Sequence, residues 1–511
     1  EMKEVELNEM DQEKQPMTGE TPTGTEKNGS VKVKVPEDAE VKFTGLSKEE
    51  LMKVAGTAGW VRTRWALLVL FWLGWVGMLA GAIVIIVQAP RCKPIPEMHW
   101  WNEGPLYQIS NLDAFSKNGL KGVEEKLDYL SQMKVKGLVL GPVHSVQADQ
   151  SSALELTSIN PDFGSESELT SLLDRAHRKG ISIVLDLTPN YRGVSSWFNN
   201  AASVAEKLKK ACVYWLNKGV DGIFLSDLND IVNTYAWSSI QAIFNKTDGT
   251  PKKPLHLITF RALMGSVNSM SINDISVLLN RSGVDLLLTG QPDLSDSGEK
   301  QAQIIKEFNS SIQQTSLGWR SRQDPGTLAA EFPIRLYQIL LFTLPGTPVF
   351  SAGEELGLKA QNTSKLISGL GAIAVNGLER ELKVTEFCSF HHLLIQALQE
   401  ERLAVRNFFK TLSDLRGKER SLQHGEYVGL SNSKSSLAFL RVWDQSKRFI
   451  TALNWGDKPV TMKLTYRDLP AEAQVLLSTD TSSLALESMV SVEKLQLDPK
   501  QAVLLTYSYA G

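Results

Sequence analysis

The feature that most constrains this chain is a run of 26 residues from Trp65 to Pro90, WALLVLFWLGWVGMLAGAIVIIVQAP, without one charge. Wound as a helix at about 1.5 Å per residue, it covers the roughly 30 Å hydrocarbon core of a bilayer with length to spare. A buried core helix of that length usually carries a polar stripe, and none is present. A cleaved signal peptide is disfavoured, because the run starts more than sixty residues into the chain and exceeds the usual apolar core of about 7–15 residues. No other segment approaches this length without charge, so one membrane span is expected, with its flank over residues 60–88.

The flanks orient the span. Lys48, Lys53, Arg62 and Arg64 precede it, whereas Arg91 and Lys93 are the nearby basic residues after it, a bias that puts the N-terminus in the cytoplasm. Glycosylation triplets at Asn245 (NKT), Asn280 (NRS), Asn309 (NSS) and Asn362 (NTS) lie on the other side; each is common by chance, but together they favour an extracellular C-terminal part. Asn28 (NGS) falls on the wrong side to be used. Gly74, Gly77 and Gly81 form a small-residue ridge that permits close approach of a neighbouring membrane helix, although helix plasticity explains the same glycines equally well.

Residues 1–59 hold one aromatic, Phe43, among abundant Glu, Lys, Thr and Gly. Such a segment buries too little apolar surface to offset chain entropy, so a mostly disordered cytoplasmic tail is expected. Within it FTGLSKEELMKVAG, with Ser47 three residues before Glu50, reads as a capping box and a short helix approaching the membrane. The chain opens on Glu1 and not Met, so its numbering need not begin at a native start. A net charge of −3, from 54 basic and 57 acidic residues, offers no excess of Lys and Arg to collect phosphates and argues against nucleic acid as a partner. No dinucleotide, phosphate-loop or zinc motif is evident, so no cofactor and no metal are expected. His391 and His392, adjacent and about 100° apart on a helix, suit a surface better than a metal site.

After a neck at 89–98, apolar runs alternate with amphipathic stretches. LKGVEEKLDYLSQM precedes VKGLVLGPV, SELTSLLDRAHRKG precedes ISIVLDLTPN, ASVAEKLKKACVYWLNKG precedes VDGIFLSDL, and FPIRLYQILLFTLPG precedes TPVFSAG. The repeated pattern over residues 99–412 predicts βα units closed into a (β/α)8 barrel. From 413 to 511 alternating segments such as SSLAFLRVWD and RFITALNWGD, separated by polar turns, predict an antiparallel β-sandwich domain.

Four segments carry a resemblance: LKGVEEKLDYLSQMKVKGLVLGPV, ISIVLDLTPNY, GVDGIFLSD and above all LFTLPGTPVFSAGEELGL. They resemble, in order, characteristic segments of the α-amylase family of glycoside hydrolases, from about Trp100 to the C-terminus. The resemblance implies the fold, and fold does not fix function. A retaining glycosidase needs two carboxyl groups about 5–5.5 Å apart. The family's nucleophile follows a pattern like GFRLD, matched here by GIFLS, which puts Phe224 at the family arginine and Ser226 at the nucleophile. Asp227, one residue on, would point to the opposite face of an extended strand. The family's acid/base glutamate ends a strand like LIGE, matched by LITF with Thr259 and Phe260. The family histidine, after a pattern DxxxNH, is matched by Tyr191, while Asp186 and Asn190 remain as polar residues that cap a barrel loop. The last family carboxylate has only Asp324, in RQD, as a counterpart. The expectation is a barrel without glycosidase activity.

Three cysteines exclude a disulfide-stapled scaffold. Cys92 lies in APRCKPIP, just outside the bilayer under oxidising conditions, whereas Cys212 and Cys388 sit in apolar helical contexts that suit buried, inert thiols. Cys92 is therefore expected to bond another chain. A single span, a neck cysteine, an emptied amylase-like exterior and a disordered tail together resemble the heavy chains of the heteromeric amino-acid transporters. About 28 residues separate Tyr191 from Gly219, too few for the insertion domain of the cystine/dibasic type, so the resemblance is to the other type, carried by FTGLSKEEL, GWVRTRWALL and APRC. It implies a plasma-membrane ancillary subunit, disulfide-linked through Cys92 to a multi-spanning light chain that exchanges amino acids. One span cannot itself enclose an alternating-access path. Two alternatives stand beside it: an adhesion and signalling receptor associated with an integrin β subunit, and a membrane-tethered α-glucosidase.

Overall fold

The computed structural model describes residues 47–89, 92–198, 201–234, 237–244, 261–267, 271–290, 296–320, 333–357 and 389–509. They fall into two compact units, one ending at Arg91 and one beginning at Cys92. In the first, helix Lys48–Ala55 starts at the expected capping box: the Glu50 backbone N–H donates to Ser47 Oγ at 3.4 Å, and the Ser47 N–H donates to the Glu50 carboxylate at 3.3 Å. Helix Ala58–Gln88 follows, 31 residues with none buried. At about 1.5 Å per residue it is about 46 Å long, enough to cross a bilayer with a turn or more beyond the hydrocarbon at its ends. Among the described residues none covers its apolar surface, which suits a helix that faces lipid.

In the second unit eight parallel strands close a barrel. They are β1 Leu106–Ile109, β2 Gly137–Leu140, β3 Ser182–Asp186, β4 Gly222–Leu225, β5 Ala262–Ser266, β6 Leu286–Gly290, β7 Leu317–Arg320 and β8 Thr347–Ser351. Closure is direct, with Leu106 opposite Val349 across the β1–β8 seam. The interior is packed with Leu106, Val139, Val184, Phe224, Met264, Leu288 and Val349, all nearly or wholly inaccessible, so the barrel is a core and not a pore. Strands this short are apolar on both faces because helices cover their outer sides.

The fifth strand corrects the sequence reading. Residues 257–260, LITF, are outside the described residues, and the strand is the next segment, Ala262–Ser266, with Leu225 of β4 opposite Gly265. ALMGS carries one glycine and one serine in five residues and so reads weakly as a strand on its own; pairing with β4 and β6 makes it one. The end of the barrel region also differs in detail from the sequence reading. Helix Ser389–Lys418 runs across the expected change at 412/413, and a short helix Arg420–His424 precedes the first strand of the last domain.

That domain has a six-stranded antiparallel sheet in the order β14-β13-β16-β11-β10-β9 and a two-stranded β12-β15 sheet. The strands are β9 Glu426–Ser433, β10 Ser436–Val442, β11 Arg448–Asn454, β12 Val460–Met462, β13 Glu472–Ser478, β14 Met489–Ser491, β15 Leu495–Leu497 and β16 Gln501–Tyr507. Two buried arginines, Arg441 of β10 and Arg416 of helix Ser389–Lys418, donate to backbone carbonyls of the barrel helix Ile334–Thr343, so that Arg441 ties the last domain to the barrel region. Arg441 donates to Thr343 O at 2.6 Å and to Gly425 O, and Arg416 donates to Phe342 O at 2.6 Å.

Candidate functional site

In a barrel of this type chemistry belongs at the C-terminal ends of the strands. The end of β4 brings Phe224 and Ser226 to different environments. Phe224 points into the barrel interior and is wholly buried beside Val184, Met264 and Leu288, so the position that would carry an arginine is an apolar plug. Ser226 follows the strand, and its backbone N–H donates to Thr188 Oγ1 at 3.0 Å. Asp227 does not obey the strand alternation expected of it. The strand has ended, and Asp227 takes a left-handed conformation (φ 50°, ψ 56°) that Asp tolerates better than most residues. Its carboxylate accepts from Ser196 Oγ, and Trp197 Nε1 donates to the carbonyls of Ser226 and Asp227 at 2.9 and 3.1 Å. Thr259, Phe260 and Asp324 lie outside the described residues.

The remaining polar residues of the mouth are engaged with one another. At the end of β3 the Asp186 carboxylate accepts from the Thr188 N–H at 2.8 Å and from its hydroxyl. Burial pushes Asp186 up to about 7, against the pull of those two hydrogen bonds and of Arg320 at the end of β7. Arg320 is itself lowered by burial and held up by the charges of Asp227 and Asp186. Asn190 forms a reciprocal pair with Asp149, accepting from its N–H at 3.0 Å and donating to its carboxylate at 2.8 Å, which makes it the loop fastener expected of it. Tyr191 donates to His144 O at 2.9 Å and meets the His144 ring edge-on. His144 is wholly buried, and burial lowers it to about 4, so it stays neutral at physiological pH. Sequence reasoning missed Arg320 and His144; neither stands in a matched motif, and only the closed barrel brings them to Asp186 and Tyr191.

The neck is the second candidate region. Cys92 is exposed. Lys93 is held against the last domain: its N–H donates to Asp444 Oδ2 at 3.1 Å, its ammonium pairs with Glu426 at 2.7 Å, and the same ammonium lies 5.0 Å from the Trp443 ring centroid. No sequence signal indicated this clasp. Cys212 is wholly buried in helix Ala201–Asn217, where burial pushes its thiol up to about 12, the property of an inert cysteine; Cys388 lies outside the described residues. Asn280 and Asn309 are exposed on helices Ile272–Ser282 and Gly298–Ser311, whereas Asn245 and Asn362 lie outside the described residues. Gly74, Gly77 and Gly81 share one side of the long apolar helix at spacings of three and four, and a methyl group added at any of them would meet nothing within 4 Å. Among the described residues no cluster of three or more His, Cys, Asp or Glu could hold a metal ion.

Comparison with known proteins places these features. Residues 30–107 match the family described as solute carrier family 3 member 2 N-terminus, and residues 108–238 match the alpha amylase catalytic domain. The rabbit (Oryctolagus cuniculus) amino acid transporter heavy chain SLC3A2 is 42% identical over 546 residues, covering 100% of this chain and 98% of its own. The mouse (Mus musculus) protein of the same name is 42% identical over 541 residues, again covering 100% of this chain and 98% of its own. The human (Homo sapiens) amino acid transporter heavy chain SLC3A1 is 22% identical, over 91% of this chain and 86% of its own. Among solved structures, the Geobacillus thermoleovorans alpha-amylase complexed with acarbose superposes with a TM-score of 0.56 at 17% identity, over 81% of this chain and 100% of that one, a likeness of fold. With one apolar span, a closed amylase-type barrel, an antiparallel β-domain and full-length relatives at this identity, the chain belongs to the SLC3A2 family of amino acid transporter heavy chains.

Proposed function

We propose that this chain is a non-catalytic ancillary subunit. It binds a multi-spanning light-chain amino-acid transporter through a disulfide at Cys92 and through contacts of its membrane helix and ectodomain, acting as chaperone and anchor that brings the transporter to the plasma membrane. The observation that carries the reading is the contrast between its cysteines: Cys92 is exposed one residue before a clasped Lys93, while Cys212 is buried and inert. The N-terminus is cytoplasmic and the barrel extracellular, as the basic flank Lys48, Lys53, Arg62 and Arg64 favours. Exposed Asn280 and Asn309 are then glycan acceptors, together with Asn245 and Asn362, and the Gly74, Gly77, Gly81 ridge is the packing side for a neighbouring membrane helix. Catalysis is absent because Ser226 stands at the position of the nucleophile and Phe224 at that of the family arginine, and no carboxylate occurs on β4 or on β5, the strand after which the acid/base would be expected.

Non-reducing electrophoresis tests the covalent claim. A heavier band should collapse on reduction and be missing in Cys92→Ser; unchanged mobility of that variant rejects a disulfide at Cys92. Mass spectrometry of the linked peptide then identifies the partner.

A further inference from the structure

The unit that holds the membrane helix also carries an apolar helix face that the described residues leave open. In helix Lys48–Ala55 successive residues step about 100° around the axis, which gathers Val54, Leu51, Ala55 and Met52 in one arc of roughly 160° and Glu49, Lys53 and Glu50 in the other. Leu51 is 56% exposed and Met52 66%. Lys48 alone interrupts the apolar arc; in the first turn its aliphatic stem can lie along that face while the ammonium reaches outward. Isolated helices shorter than about 12 residues are marginal in water, and this one has eight residues, none of them buried. The capping box at Ser47 and Glu50 serves its first turn, and a surface against Leu51 and Met52 would supply the rest.

The joint to helix Ala58–Gln88 indicates which surface that is. Thr57 is extended between the two helices (φ −64°, ψ 144°), so the short helix does not run on as a straight extension of the long one. The break is fastened on both sides. The Gly56 N–H donates to Met52 O at 3.0 Å, Thr57 Oγ1 donates to Val54 O at 2.7 Å, and the guanidinium of Arg64, in the second turn of the long helix, donates to Ala55 O. Arg64 thereby sets a cation at the C-terminal end of the short helix, where the helix dipole favours one. With 31 residues, the long helix exceeds a hydrocarbon core of roughly 30 Å by about 8 Å at each end when centred, about the depth of the headgroup layer. The joint therefore lies among the headgroups, and exposed Trp60, just after it, is the amphipathic side chain typical of that depth.

We propose that helix Lys48–Ala55 lies in the headgroup layer of the leaflet at its end of the span, with Leu51, Met52, Val54 and Ala55 against the acyl chains and Glu49, Glu50 and Lys53 toward water. Only the name of that leaflet, cytoplasmic, rests on the orientation given under the proposed function. Lipid is the occupant because the span holds the joint at the bilayer surface whether or not a partner is bound. Lys48, Lys53, Arg62 and Arg64 also set four cations against Glu49 and Glu50 beside the lipid phosphates. A helix held in this way fixes the depth and rotation of the span, and so the direction in which Gly74, Gly77 and Gly81 face a neighbour.

The test uses the full chain without a light chain, in nanodiscs of phosphatidylcholine and phosphatidylserine. Cys92→Ser and Cys388→Ser leave the buried Cys212, and a nitroxide is attached after Glu49→Cys, Leu51→Cys, Met52→Cys, Lys53→Cys or Leu73→Cys. Power saturation compares access of oxygen, which concentrates in lipid, with access of a nickel chelate, which stays in water. The oxygen-to-nickel ratio is expected to be several-fold higher at Leu51 and Met52 than at Glu49 and Lys53, and highest at Leu73. Equal ratios at the four positions of the short helix, with a high one at Leu73, overturn the proposal and leave the span intact. A low ratio at Leu73 rejects the span and the proposal together. Labels at Leu51 and Met52 that leave water only when a light chain is added assign the face to protein and reject lipid as its occupant. Both faces of a disc are open to the probes, so failure here is distinct from failure of the proposed orientation.

Discussion

The backbone N–H of Lys93 donates to the carboxylate of Asp444 at 3.1 Å, joining two residues 351 positions apart. The clasp puts Cys92, one residue earlier, at a defined place beside the turn between β10 and β11 and not at the end of a free tether. A disulfide needs its two Cα atoms within about 4.4–6.8 Å, so holding one cysteine still raises the fraction of encounters that can react.

Asp444→Asn removes the charge and keeps a residue that tolerates the left-handed φ of 43° found there. The heavier band in pulse-labelled cells should form several-fold more slowly on non-reducing gels. The thermal stability of the protein should change by less than about 1 kcal/mol, because the contacts are exposed. A large loss of stability with normal bonding kinetics would contradict this account of the neck.

Asp186 sets a pH dependence whose sign is fixed by its raised pKa of about 7 against an ordinary 3.8. The folded state binds the proton more tightly, so the stability this group contributes is full below about pH 4 and is lost as pH rises to 7. Asp186→Asn keeps an oxygen for the Thr188 donors and removes the buried charge. It should raise stability at pH 7.4 on the order of 2 kcal/mol, with no gain near pH 4, measured by denaturant unfolding. His144 has the opposite sign: lowered to about 4 from 6.5, it costs stability as pH falls between those values. In wild type the two slopes oppose each other, and the asparagine variant should show the steeper acid loss of His144 alone.

Glu355 is buried after β8 and accepts from Tyr107 Oη at 2.9 Å, Tyr129 Oη at 3.0 Å and the Gly353 N–H at 2.9 Å. Removing the acceptor strands two buried hydroxyls and opens a cavity. Glu355→Ala should cost about 3 kcal/mol or more in chemical denaturation, and Glu355→Gln markedly less, since its carbonyl still accepts.

The barrel mouth predicts that restoring one family residue will not restore hydrolysis. Ser226→Asp supplies a single carboxylate where two are needed, and β5 ends in Gly265 and Ser266. No release of p-nitrophenol from an α-glucoside is expected above the unmodified chain. Phe224→Arg should be destabilising by about 3 kcal/mol or more, because it places a charge among Val184, Met264 and Leu288. Measurable turnover by the unmodified chain would revive the tethered α-glucosidase.

Much of this protein is legible in its sequence because the signals are local. Twenty-six uncharged residues specify a span whatever the rest of the chain does, and Ser47 with Glu50 specifies where the helix before it begins. Alternating helix and strand periods specify a parallel barrel, and the serine of GIFLS specifies which carboxylate is missing. β5 was misplaced by a few residues because a strand held mainly by its neighbours leaves little trace in its own composition.

The rest was decided by contacts between residues far apart in the chain. Sequence alone put Asp227 on the far face of a strand; tertiary structure ended the strand at Leu225 and turned its carboxylate to Ser196. Arg320 near Asp186, His144 under Tyr191 and Lys93 on Asp444 depend on where closure of the barrel and docking of the last domain bring them. Periodicity and motifs record which face of an element is apolar, and they carry no record of which polar group another element will present to it.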